Sequence, residues 1–186
     1  KAIFRAIADV GCPVVISPGN HDYYIKNGTY ADENLPENAY VFTSNELGRF
    51  DFDDMGISVI GYAFTSDRYE ENPLASDVPV SSENMNILCA HAELGAPLSK
   101  YAPINQNAIS LYGFTYAALG HVHSGGELFS RDNTTYGYSG SLEGQSFHDC
   151  GEKGAFFLTL EKSGGKADVK YEFVPLAKRV YICGEI

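Results

Sequence analysis

An α/β fold is what this sequence predicts, and three observations predict it. The chain opens on a helical-period pattern, its apolar runs are short and bounded by turn residues, and polar side chains stand directly after those runs. With 186 residues, 44% of them hydrophobic and 13% aromatic, there is material for one sizeable core.

In Ala2-Ile-Phe-Arg-Ala-Ile-Ala8, the side chains of Ile3, Phe4 and Ile7 fall on one helical face. Gly11-Cys12-Pro13 breaks that period, and Val14-Val15-Ile16 is predicted as a strand buried on both faces. Residues 27–40 are polar and predict mostly loop. Segments 40–42, 48–52 and 57–61 are predicted as short strands, the last two joined by an acidic turn at Asp53-Asp54. Residues 66–85 form a polar excursion that ends in a second buried strand over 85–90, delivering His91. A helix is predicted over 104–111 with Asn105 or a neighbour as its cap, then a strand over 114–119 followed by His121 and His123. Beyond Gly125, strands are predicted over 127–130, 135–138, 155–160 and 167–173, with turns at 151–154 and 163–165.

Thirteen Lys and Arg against twenty-four Asp and Glu give a net charge of −11. Such a surface repels bare phosphate backbones unless cations or a basic partner reverse the local field. There is no apolar run of about eighteen residues and no leader pattern, so a soluble chain with no membrane partner is expected. Cys12, Cys89, Cys150 and Cys183 suit neither a zinc ribbon nor a small disulfide framework. Cys12 and Cys89 lie in apolar runs and are expected as core fillers, with a reducing cytoplasm as the compartment.

Three strands end in polar side chains: Asn20 and His21 after the first, His91 after another, His121 and His123 after a third. In open α/β sheets the crevice outside the strand carboxyl ends is where ligands bind. Imidazole nitrogens and an amide oxygen suit Mn²⁺, Fe²⁺ or Zn²⁺ better than an all-oxygen calcium cage. A His-x-His pair on an extended segment can serve two neighbouring ions, since successive side chains alternate in direction. Gly19 and Gly120 are expected to let the backbone turn out of its strand, and Asp22 to orient His21 and favour its protonated form. Singly, Asn-His-Asp is a common turn composition and His-x-His a common surface pair; the argument rests on their joint placement. His148, and the acidic group Asp51, Asp53 and Asp54, are expected to be solvated. Tyr23, Tyr24, Tyr112, Tyr116 and Tyr138 are expected to pack in the core and its rim rather than to stack on bases.

Gly19-Asn20-His21-Asp22, then His91, then Gly120-His121-Val122-His123 resembles the calcineurin-like metallophosphoesterases. Within that superfamily, Tyr116–His123 and the stretch from Gly137 to Glu161 are similar to the nuclease subunits of SbcD-type bacterial DNA-repair exonucleases. The resemblance implies a four-layer α-β-β-α sandwich and two divalent ions, Mn²⁺ foremost. It makes Asn20, His91 and His121 ligands of the second ion, His123 a ligand of the first, and His21 the catalytic imidazole steadied by Asp22. It also implies DNA, a coiled-coil ATPase subunit of the SMC kind and a second copy of the chain as partners. The family's Asp-x-His and Gly-Asp motifs do not occur in this sequence. The chain is therefore expected to be a single partial domain over 1–186, lacking the first strands and a carboxy-terminal capping region, and inactive alone. Hydrolysis of small phosphate esters, and a non-catalytic structural role, stand as alternatives.

Overall fold

The computed structural model describes residues 2–30, 35–163 and 166–183. Lys1, part of the predicted 27–40 loop, the predicted turn at 164–165 and the final Gly184–Ile186 lie outside them. In chain order the elements are α1 (Ala2–Val10), β1 (Val14–Ile16), β2 (Ala39–Val41), β3 (Gly48–Phe52), β4 (Ile57–Gly61), β5 (Met85–His91), β6 (Glu93–Leu94), β7 (Pro103–Ile104), β8 (Tyr116–Gly120), β9 (Glu127–Arg131), β10 (Thr134–Tyr138), β11 (Gly154–Ser163) and β12 (Lys166–Pro175).

Gly11 stops α1 in a left-handed conformation (φ 71°) that a side chain would strain. The Asn38 amide donates to the carbonyls of Ile7 and Cys12, at 2.7 and 2.9 Å, satisfying acceptors that the helix end leaves open. β1 pairs in parallel with β2, from Val14 beside Ala39 to Ile16 beside Val41. All three β1 residues are half-buried, not buried as expected, because β2 is the one strand paired with β1 among the described residues.

The main sheet has six strands in the order β3-β4-β5-β8-β10-β9. β4, β5, β8 and β10 run parallel, and β3 and β9 close the edges antiparallel. Alternate residues of β5 are buried, and Ile60, Leu88, Ala90, Ala117 and Leu119 meet Tyr62, Phe64, Ile104, Ile109 and Phe114 in one core. The parallel run places the carboxyl ends of β5 and β8 side by side. The β3–β4 hairpin turns through a single 3₁₀ turn, Asp53–Met55, with Asp51 exposed and paired to Arg49, as a solvated acidic turn requires. The helix expected over 104–111 is instead a 3₁₀ helix, Gln106–Tyr112, capped by Asn105 accepting from Asn107 N at 2.9 Å. Pro103 and Ile104 are drawn into pairing with Glu93 and Leu94, which delays its start. β11 and β12 form a separate ten-residue hairpin.

Among the described residues α1 is the single α-helix, so these residues do not themselves build two outer helical layers. None of their helices is long and apolar enough to cross a membrane.

The cysteines correct the sequence reading. Cys150 and Cys183 are joined by a disulfide, Cα–Cα 5.9 Å, because the tail returns beside the loop and Gly151 N donates to Tyr181 O. Cys12 is exposed rather than a core filler. Cys89 is partly buried, and burial pushes its thiol up to about 11 from 9.0. The folded chain therefore keeps a proton that the unfolded chain loses. The stabilisation is complete below pH 9 and is lost as pH rises toward 11, amounting to about 2–3 kcal/mol. Thiol titration of the unreduced native protein should find Cys12 reacting quickly and Cys89 slowly. Four rapidly reacting thiols would contradict both the disulfide and the burial.

Candidate metal centre

The loop after β1 is pulled onto the main sheet by its backbone. Ser17 Oγ donates to Tyr62 O at 2.7 Å, and Phe64 N donates to Pro18 O at 3.0 Å. Gly19 is then pressed against His91: a Cβ built there would lie 2.5 Å from Nδ1 and 2.6 Å from Cε1 of that ring. Gly19 is needed for this close approach rather than for a left-handed turn. Beside Gly120 a Cβ would also come within 3.3 Å of His91 Nδ1. The residue that does take the left-handed region is His121, at φ 106°, a strained conformation for a side-chain-bearing residue and one that clusters at functional sites.

Parallel pairing sets His91 opposite Gly120, so His121 follows directly beside it. His91 Nε2 lies 2.8 Å from Asn20 Oδ1 and 3.2 Å from His121 Nδ1. Atoms able to ligate a metal, from two other segments, thus both lie against His91 Nε2. The backbone beneath them is anchored: Tyr62 donates its hydroxyl to His91 O at 2.7 Å, and Tyr138 donates to Ala92 O at 3.0 Å while accepting from Leu94 N. The Phe64 ring meets His91 edge-on at 5.3 Å, and Tyr101 stacks against His121 at 4.8 Å.

Burial first, then the neighbouring His121, His21 and His123 imidazoles, hold His91 down to about 4, against an opposing pull from Asp22. Burial also lowers His121, helped by His123 and His21 and opposed by Glu93. Both rings are therefore neutral near pH 7, the form in which an imidazole ligates a metal. Two imidazoles and an amide fit a borderline divalent cation of the Mn²⁺, Fe²⁺ or Zn²⁺ kind. Among the described residues no three His, Cys, Asp or Glu side chains gather at one metal-sized point, so the fit rests on Asn20 completing the two histidines.

The other expected residues are placed differently. His21 is exposed at the rim, and no side-chain hydrogen bond ties it among the described residues. Asp22 does not steady it by a hydrogen bond: its carboxylate accepts from Gly19 N at 2.9 Å and from the Tyr30 hydroxyl, closing the loop on itself. A lone tyrosine eight residues after Asp22 carries no sequence signal for that partner. His123 stands apart from the trio, with its Nδ1 3.5 Å from Asp149 Oδ1. His148 is exposed, and Tyr116 and Tyr138 pack in or against the core, as expected.

Lys153, Asp149, Tyr62 and Tyr101 were missed by sequence reading. Nothing in a lone Tyr or Lys distinguishes an anchoring hydroxyl or ammonium from ordinary packing; the Gly-Glu-Lys-Gly context read as a turn. Two cavities, of about 540 and 590 Å³, are lined by residues between Asn45 and Asn107 and include no histidine. The trio lies outside both.

No protein-family model matches the chain. The chain is 25% identical over 178 residues to an uncharacterized metallophosphoesterase, YhaO, of Bacillus subtilis. The match takes in 93% of this chain and spans 42% of the length of that relative. The similarity supports the metallophosphoesterase resemblance carried by Gly19–Asp22, His91 and Gly120–His123.

Proposed function

We propose that the protein hydrolyses phosphate esters with the help of divalent cations, one of them held by Asn20, His91 and His121. The observation that carries this reading is that Asn20 Oδ1 and His121 Nδ1 both lie within 3.2 Å of His91 Nε2. The YhaO similarity adds the reaction class, since that relative is described as a metallophosphoesterase.

A cation at that point would supply positive charge to a phosphoryl oxygen. The chain's own residues do the rest. Neutral His91 and His121 present lone pairs at physiological pH, and the strained backbone of His121 aims its Nδ1 at its neighbour. His21, exposed beside them, hands a proton to the departing alkoxide. Asp22 keeps the loop folded so that Asn20 and His21 stay adjacent. With a net charge of −11, positive potential at the site depends on bound cations.

The finer reading is a DNA phosphodiesterase of the SbcD type: a two-ion enzyme, Mn²⁺ foremost, with His123 serving the other ion. In this reading the intact protein is a four-layer sandwich, cytoplasmic, and partnered with a coiled-coil ATPase and a second copy of itself. The test is a substrate panel with Mn²⁺, using the product of the complete reading frame: duplex DNA, single-stranded DNA, a bis-aryl phosphodiester and an aryl phosphomonoester. Cleavage of DNA with Mn²⁺ and none with chelator is the expected result. Turnover of the small esters alone would assign the protein to small-molecule substrates. Failure on every substrate, with no ion bound, would leave a structural role.

A further inference from the structure

His123 is gripped by one segment from two directions. The Lys153 ammonium donates to the His123 carbonyl at 3.0 Å, and Ser141 N donates to the same oxygen at 3.2 Å. Lys153 is only 3% exposed, and it has no carboxylate partner within salt-bridge distance among the described residues. Burying an ammonium is costly, so this position gives up stability for whatever the contact provides. Four residues earlier, Asp149 Oδ1 lies 3.5 Å from His123 Nδ1. The other Asp149 oxygen accepts from Gln145 N, Ser146 N and Ser146 Oγ at 3.0, 3.1 and 3.3 Å, so the carboxylate cannot swing freely.

We propose that Asp149 and Lys153 are positioning residues for His123. The carboxylate selects the Nδ1–H tautomer and leaves the lone pair on Nε2, while the ammonium holds the backbone that carries the ring. A carboxylate behind a histidine fixes tautomer and orientation, and losing it costs 10–100-fold in affinity at sites where the histidine is a ligand. The inference deepens the proposed function and rests on it only where His123 is taken to serve a cation. The Lys153 ammonium reaches a main-chain oxygen 30 residues away that only the folded loop brings near.

Long-range ¹H–¹⁵N spectra of the imidazoles, recorded on the metal-free chain at mildly alkaline pH, read the tautomer directly. The wild type should show His123 with its proton on Nδ1. Asp149→Ala should move it toward the Nε2–H form that free imidazoles favour. Asp149→Asn, which keeps an acceptor for the 145–149 loop, should move it part of the way without unravelling that loop. Lys153→Met should broaden or split the His123 signals, and Lys153→Arg, which retains a donor, should restore a single set. A tautomer unmoved in both Asp149 variants, or signals unchanged in Lys153→Met, overturns the proposal whatever the protein hydrolyses. As a second readout, Mn²⁺ uptake by the complete protein should weaken about 10–100-fold in Asp149→Asn. A tautomer that moves while Mn²⁺ uptake and cleavage stay at wild-type levels supports the grip and overturns the assignment of His123 to the cation.

Discussion

Replacing Gly19 with alanine should abolish cation binding at the Asn20–His91–His121 trio. The new methyl group would sit 2.5 Å from His91 Nδ1 and 2.9 Å from its Cγ, well inside van der Waals contact. The ring has little room to yield. Phe64 meets it edge-on at 5.3 Å and His121 at 5.1 Å, its Nε2 is held by Asn20, and its own carbonyl is bonded to Tyr62. Overpacking of this kind costs about 1–3 kcal/mol, which a chain with this core should survive. The ligand geometry should not survive it, because moving one imidazole parts all three donor atoms. The measurement is thermal unfolding against Mn²⁺ concentration. An ion bound only by the folded state adds about 2.7 kcal/mol at a hundred times its dissociation constant. The wild type should show that rise, and Gly19→Ala should remain folded without it. An equal rise in the variant would mean that cations bind elsewhere.

His21→Ala should have the opposite profile: cation-induced stabilisation close to wild type, with turnover reduced by about 10²–10⁴-fold in the complete protein. His21 lies at the exposed rim, outside the trio, and among the described residues its side chain makes no hydrogen bond that would be lost. It is nonetheless among the neighbours that lower both His91 and His121. If His21 protonates the leaving alkoxide, the loss should shrink for nitrophenyl esters, whose leaving group needs little help from an acid. Full activity toward an alkyl ester in His21→Ala would remove the residue from the reaction. A uniform loss across all esters would make it a binding group instead of a proton donor.

The strands around the centre were legible because each holds a short apolar run, Val14–Ile16, Ile87–Ala90 and Ala117–Leu119, and such runs have few alternatives. The 48–52 and 57–61 strands match their predicted bounds, and the predicted 85–90 strand runs one residue further, to His91. Legibility failed where long-range pairing overrode local pattern. Pro103 and Ile104 have helical neighbours but are captured by Glu93 and Leu94, and the half-exposed β1 looks fully apolar in sequence. It failed again for the cysteines, since a separation of 33 residues says nothing about a tail that folds back. Asp22 was read through its neighbour His21, yet a carboxylate takes whichever donors the loop presents, and here those are Gly19 N and Tyr30.

The amino-acid sequence by itself determined the donor inventory: which amide and which imidazoles stand at strand ends, and hence which metals and which chemistry they suit. Residue type sets ligand softness and charge, and these need no coordinates. Only the tertiary structure decided which donors meet. Parallel register puts His91 beside Gly120, the missing Cβ of Gly19 lets a third segment close to 2.8 Å, and Lys153 and Asp149 reach His123 from across a loop. Those are contacts between residues 26 to 71 positions apart. They depend on how strands pair and pack, which local pattern does not encode.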